Sequence, residues 1–252
     1  MELKRYFVEL SYNGSEYHGW QRQPNAISIQ EALEKSFSKL LFESISLVGA
    51  SRTDTGVHAL QMFAHFDIKQ EITNPKELVF LLNAFLKDDI AIKAIRRVQP
   101  NAHARFDVTT RVYKYHISTA KDPFNGAFHY YLKKTPDVNL MNQASRILLL
   151  HDDFQCFSRT NTNVKTFLCK IQKAEWQQYD NSLVFYICSD RFLRNMVRAI
   201  VGTLLEIGFK KRKVDDLEII IKSRDRCKAG FSVPANGLFL TRIHYPDKIF
   251  LN

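Results

Sequence analysis

An α+β fold is predicted, on two observations. Strand-like and helical segments are mixed in each half of the chain, without the strict strand-helix alternation of a doubly wound sheet. The strands show period-two apolar patterning, while the helices open on recognisable caps. The 252 residues, 45% of them hydrophobic, are enough to bury a substantial core.

Residues 5–12, RYFVELSY, are rich in aromatic and β-favouring side chains and form the first predicted strand. Asn13-Gly14 then turns the chain into a loop containing Gly19 and Trp20. Ser28, followed three positions later by Glu31, is a capping box, and Ile29, Leu33, Phe37 and Leu40 recur at helical spacing behind it. Residues 47–50 and 60–68 read as strands, the second with Met62, Ala64, Phe66 and Ile68 pointing one way. Asn74 and Pro75 suit the cap and first position of a helix whose Leu78, Leu81, Leu82 and Phe85 share a face. Residues 90–99 follow as a strand.

Residues 110–120, TRVYKYHISTA, form a further strand. Its alternation puts Arg111, Tyr113 and Tyr115 on one side and Val112, Lys114 and His116 on the other. A polar connection with Pro123, Gly126 and Pro136 leads to a helix at 140–150, strands at 167–178 and 183–188, and an apolar helix at 194–207 stopped by Gly208. A short helix at 215–221 and a strand at 238–245, after turn signals at Pro234 and Asn236-Gly237, complete the order. The predicted division is residues 1–108, carrying an Asp-containing loop, and residues 109–252.

Thirty-six Lys and Arg against 26 Asp and Glu leave a formal net charge of +10, which favours a polyanionic partner. Cys156, Cys169, Cys188 and Cys227 are scattered, with no zinc-ligand spacing. That pattern suits reduced thiols in a cytoplasmic protein, as does the lack of a signal sequence in MELKRYFVEL. No apolar run is long enough to span a membrane. P-loop, dinucleotide, nucleophile-elbow and zinc-deaminase signatures are all missing from the sequence, so nucleotide-driven and redox chemistry are not expected.

The densest polar constellation is SRTDTGVH, residues 51–58, in a loop between two predicted strands. Loops held by rigid strands often carry function, yet Asp54 with Gly56 is equally consistent with a simple turn. Arg198 lies in a helix that is apolar on most sides and needs a polar or anionic partner there, and Arg194 sits one turn before it. Spacing does not name that partner. The 110–118 strand interleaves basic and aromatic residues as base-stacking RNA surfaces do. Lys210, Lys211, Arg212 and Lys213 follow a helix end, where they can meet phosphate or simply be solvated.

Taken together and in order, these segments resemble the tRNA pseudouridine synthase A family. The resemblance rests on Tyr12-Asn13-Gly14 with Gly19-Trp20-Gln21, on Arg52-Thr53-Asp54 with Gly56-Val57-His58-Ala59, and on Arg105-Phe106 followed by Tyr113. Phe192 to Arg198, Val201-Gly202-Thr203-Leu204, Ala229-Gly230, Pro234-Ala235 and Gly237-Leu238 extend it almost to the end. Ser51 stands where the family usually has Gly, Thr55 where it has Ala, and Ser232-Val233 where it has Thr-Ala.

The resemblance implies two similar α/β sandwich-like halves, with mainly antiparallel sheets joined across a central RNA-binding cleft. It also implies a homodimer acting without metal or cofactor on uridines of the tRNA anticodon stem-loop. It makes Asp54 the catalytic carboxylate, Arg198 its charge partner and Tyr113 the ring that stacks on uracil. Arg52 would brace the space left by the flipped base, with Leu238 lining the substrate; from the residue pattern itself, Arg111 is expected on the substrate and Arg194 and Lys210 to Lys213 on the RNA backbone. His58 is expected to make a structural hydrogen bond only. The rival functions are a non-catalytic RNA-binding module and a nucleoside glycosylase or transferase.

Overall fold

The computed structural model describes residues 3–160 and 164–251. The reading of the extreme N-terminus at Met1 and Glu2, and the outer ends of the two predicted halves, lie outside the described residues. Two compact units form, one built from the chain up to Thr109 together with the residues from Leu240 on, the other from Thr110–Phe239. A contiguous split at 108/109 would leave the last strand wholly with the second half. The chain instead returns to the first unit at Leu240.

In the first unit β1 (Lys4–Tyr12) pairs antiparallel with both β3 (His58–Ile68) and β4 (Ile90–Arg97), and the short β2 (Val48–Gly49) pairs with β3. The last strand, β9 (Leu238–His244), follows β3 in the sheet order, giving β4-β1-β3-β9. Helix α1 (Ile29–Leu41) starts where its cap predicts, with Ser28 Oγ accepting from the Glu31 amide at 3.3 Å. It seats the fully buried Phe37 edge-on to Phe66, ring centroids 5.1 Å apart.

The alternation read for β3 is only half of its environment. Met62, Ala64, Phe66 and Ile68 are buried, but so are Phe63 and His65 on the opposite side. The C-terminal segment covers that side: Tyr245 packs 5.2 Å from both Phe7 and Phe63, and Phe250 meets Phe7 edge-on at 6.1 Å. In α2 (Pro75–Phe85) Leu78 and Leu82 are buried, whereas Leu81 and Phe85 are 42% and 46% exposed. Leu81 and Phe85 form an adjacent stripe rather than the inward one, and the Lys39 ammonium lies 5.0 Å over the Phe85 ring.

His65 carries a measurable consequence of this double burial. Burial first, then the nearby Arg5 and His103 charges, push its pKa down to about 4, so the imidazole is neutral in the folded unit. Its Nδ1 accepts from the Ala104 amide at 3.1 Å. The unfolded chain protonates this histidine near its ordinary value of 6.5, which the folded chain resists. Stability from this group is therefore complete above pH 6.5 and is lost as the pH falls towards 4, by up to about 3 kcal/mol. Urea midpoints measured between pH 4 and pH 8 should show a loss beginning well above the carboxylate range, and His65→Gln should reduce it, leaving the part that His116, pushed down to about 4 mainly by burial, contributes in the same window. An acid limb unchanged by the substitution contradicts the assignment.

In the second unit β8 (Ser182–Ser189) lies between β5 (Thr110–Ser118) and β7 (Ile171–Tyr179), antiparallel to both. The two-residue β6 (Tyr130–Tyr131) pairs parallel with β5 inside the connection read from sequence. Helix α3 (Val138–Ile147) packs on β7 and on α4 (Met196–Gly208), and α5 (Asp216–Ser223) follows. Gly208 is not a left-handed stop. It is the last residue of α4, where a Cβ would come within 2.8 Å of Pro136 and Met141 side-chain atoms, and the left-handed residue is Lys210. With mainly antiparallel sheets and helices in each unit, the fold class is α+β. No helix among the described residues is long and apolar enough to cross a membrane.

Candidate active site

The loop between β2 and β3 carries Asp54, and the first unit fixes this loop through its own backbone. Trp20 donates its amide to Thr53 O at 3.2 Å, and the Tyr12 and Thr53 hydroxyls are bonded at 2.8 Å. Tyr12 reaches that point because the β1–β3 register shifts by one residue between Leu10 and Tyr12, a bulge that re-aims the strand end. Val57 donates to Asp54 O at 3.2 Å, and Gly56 has the positive φ expected of it, 76°. Gly19, at φ 84°, passes so close that a Cβ there would stand 2.4 Å from Thr53 O.

Within this frame Thr53 is buried, Asp54 half-buried and Arg52 exposed. His58 is 1% exposed, and its Nδ1 accepts from the Gly14 amide at 3.1 Å, which fits the structural role expected of it. Trp20 is equally buried, and its ring lies against Gly49 and 6.3 Å from the Tyr12 ring, so it anchors the loop from within the core.

The second unit holds the other predicted residues. Tyr113, 6% exposed, meets Phe192 edge-on at 5.1 Å. Arg111 lies on the same strand face, buried, and donates from Nη1 to Asp190 O at 2.6 Å, which pins the end of β8. Tyr115 donates its hydroxyl to Pro234 O at 2.8 Å, and burial raises its pKa far above the usual phenol range. Leu238 is buried at the start of β9.

Helix α4 is apolar all round except at the buried Thr203 and at Arg198 and Glu206, which are half-buried. The Arg198 Nε donates to Val233 O at 2.7 Å, and the Val233 amide returns a 3.3 Å bond to Arg198 O. The 229–233 segment approaches α4 closely because two glycines leave room. A Cβ on Gly202 would stand 1.8 Å from Phe231 O, and one on Gly230 would stand 2.8 Å from the Thr203 backbone. Arg194 is exposed, with its carbonyl accepting from the Arg159 amide at 3.0 Å. In the basic run Lys210, Lys211 and Lys213 are exposed, but Arg212 pairs with Glu206 at 2.5 Å.

Sequence reasoning had no part for Asn195, Arg226 or Ser232, which bond one another beside Arg198. Asn195 lies inside the Phe192–Arg198 segment and Ser232 in the Ser232-Val233 departure, whereas the only signal for Arg226 is its proximity to Ala229-Gly230. Among the described residues no group of three or more His, Cys, Asp or Glu side chains could hold a metal ion.

A family model described as tRNA pseudouridine synthase matches residues 10–107 and 144–246, which takes in Asp54 and Arg198. The chain belongs to the tRNA pseudouridine synthase family. A protein named tRNA pseudouridine synthase A from Bacteroides fragilis is 51% identical over 251 residues, covering 99% of this chain and 100% of the relative. Its namesake from Bacteroides thetaiotaomicron is 48% identical over 251 residues, covering 98% and 93%. The Clostridium tetani protein named tRNA pseudouridine synthase A 2 is 37% identical over 242 residues, covering 94% and 97%. Both the Arg52–Ala59 and the Gly230–Leu238 segments lie within the matched residues.

Proposed function

We propose that this chain isomerises uridine to pseudouridine in the anticodon stem-loop of tRNA, with Asp54 as the catalytic carboxylate. The observation that carries the reading is the Asp54 loop. It is half-open to solvent, yet its backbone is bonded to Trp20, its Thr53 hydroxyl to Tyr12, and Gly19 is packed against it. A turn that served only to reverse the chain would not need such a frame.

The isomerisation breaks the bond from uracil N1 to the ribose C1′ and forms one from C5 to the same carbon. C5 loses a proton and N1 gains one, so the product is an isomer and no oxidant, reductant or energy source enters the balance. An ionised carboxylate can attack covalently or remove a sugar proton. Arg198 is assigned to keep Asp54 charged, as a neighbouring cation does for a carboxylate. Tyr113 is assigned to stack on the uracil, with its phenol on the path of the C5 proton.

Arg52, exposed on the loop, is assigned to brace the stem once the target base is out of its stack, a change that costs a few kcal/mol. Leu238 lines the base. Arg111 is assigned to hold the strand end beside the base through Asp190. Arg194 with Lys210, Lys211 and Lys213 would meet phosphates, while Arg212 reaches RNA only by sharing its bond to Glu206. The enzyme is proposed to act in the cytoplasm as a homodimer.

A tRNA transcript carrying tritium at uracil C5 tests this directly. Full conversion should release the C5 tritium to water from each modified site while the base stays attached as a C-linked nucleoside. Free uracil would establish a glycosylase, and bound but unchanged tRNA would establish a binding module.

A further inference from the structure

The half-buried Arg226 does not pair with a carboxylate among the described residues. Its Nη1 donates to Gly230 O at 3.0 Å and more weakly to Ala229 O at 3.5 Å, and its Nη2 donates to Ser232 Oγ at 2.9 Å. A guanidinium placed for stability alone gains more from an acid than from neutral oxygens. What these bonds do is grip one short segment at several points.

Ser232 Oγ also accepts from Asn195 Nδ2 at 2.6 Å. A hydroxyl oxygen has two lone pairs, so Arg226 and Asn195 together fill both acceptor positions. Asn195 immediately precedes α4 and has a φ of 68°, a left-handed conformation that Asn tolerates better than most residues. Its side chain makes no cap hydrogen bond to α4, and its Nδ2 donor is directed at Ser232. Ser232 is thus tied both to the start of α4 and to Arg226.

The next residue is Val233, whose carbonyl takes the Arg198 Nε bond and whose amide bonds Arg198 O. The heading of the Arg198 guanidinium therefore depends on where Val233 O lies, and that depends on Ser232. The docking of the segment is secured separately. The Gly230 amide donates to Thr203 Oγ1 at 2.8 Å, Thr203 Oγ1 bonds Ala199 O at 2.8 Å, and Phe231 lies against Gly202. Losing the Ser232 hydroxyl would leave this docking in place and remove one of two constraints on Val233, the other being its own amide bond to Arg198 O.

We propose that Asn195, Ser232 and Arg226 form a positioning clamp that aims Arg198 for catalysis. The clamp rests on the functional reading above, in which Arg198 serves the reacting carboxylate. None of the three needs to touch the substrate. They act through Val233, and a misplacement of about 1 Å at a catalytic group can cost about a hundredfold in rate.

The test compares the full-length wild type with Ser232→Ala, Ser232→Thr, Arg226→Gln and the Ser232→Ala, Arg226→Gln double variant. Single-turnover tritium release, tRNA affinity and thermal midpoint are measured for each. Ser232→Ala should lower the rate by about tenfold to a hundredfold, with tRNA affinity within about twofold and the thermal midpoint down by only a few degrees. Ser232→Thr, which restores the hydroxyl, should return most of the rate. The double variant should be no slower than its slower parent, as expected for residues acting as one unit.

A wild-type rate in Ser232→Ala overturns the clamp, as does a loss that Ser232→Thr fails to restore or one confined to affinity. If Arg226→Gln does not fold, the Ser232 pair still decides. Absence of tritium release from wild type refutes the functional reading and the clamp with it, whereas an active wild type beside an unaffected Ser232→Ala refutes the clamp alone.

Discussion

Asp54→Asn is expected to abolish pseudouridine formation while leaving tRNA binding nearly intact. The substitution keeps the shape of the side chain and some of its hydrogen-bonding capacity but removes the negative charge. A turn-forming Asp commonly tolerates Asn, because either side chain can bond the backbone two residues on. A nucleophile or essential base does not. The rate should fall at least about a hundredfold, or about 2.7 kcal/mol in the barrier. Affinity should change little, since it comes from phosphates and stacked bases spread over a wide surface. The loop should also keep its shape, because its bonds to Trp20 and from Val57 are made by backbone oxygens and its bond to Tyr12 by Thr53. Filter binding and tritium release on one folded preparation separate the two quantities. Near-normal turnover in Asp54→Asn would move the active centre elsewhere.

What the sequence made legible was local. The cap at Ser28, the Pro75 start of α2 and the strand read over residues 5–12 all depend on neighbours within a few positions; the two helices start where their residues predict and β1 opens one residue earlier, at Lys4. What it hid depends on distant partners. Phe63 and His65 on β3 are buried because Tyr245, Phe250 and Ala104 come to the second face of the sheet, and nothing around residues 60–68 announces them. Gly208 was readable as a stop because Gly often ends helices, but its small size is used against Pro136 and Met141. The candidate site divides the same way. Asp54, Tyr113 and Arg198 were visible as residue types in ordered motifs. The bond from Tyr12 to Thr53 joins positions 41 apart, and that from Asn195 to Ser232 positions 37 apart, so both emerge only with the fold.

Gly19→Ala should cripple the same reaction without touching any group that meets the substrate. The substitution meets two separate costs. A Cβ at φ 84° is strained by about 1–2 kcal/mol whatever surrounds it. Here it would also stand 2.4 Å from Thr53 O and 3.1 Å from the Asp54 carbonyl carbon, contacts that cannot persist. Relief by rotating a side chain is impossible, because both atoms belong to backbone. The Trp20 side of the contact is held in turn by the Gln30 amide on Trp20 O and by the buried indole against Gly49, so the yielding partner is the half-open Asp54 loop. Together the strain and overpacking should destabilise the unit by about 2–4 kcal/mol. A loop displaced by about 1 Å should slow catalysis about a hundredfold even in molecules that remain folded. Measured well below the lowered melting temperature, Gly19→Ala should therefore bind tRNA and turn it over poorly. Wild-type turnover in the folded variant would show that the loop has slack, and that Asp54 does not depend on the frame around it.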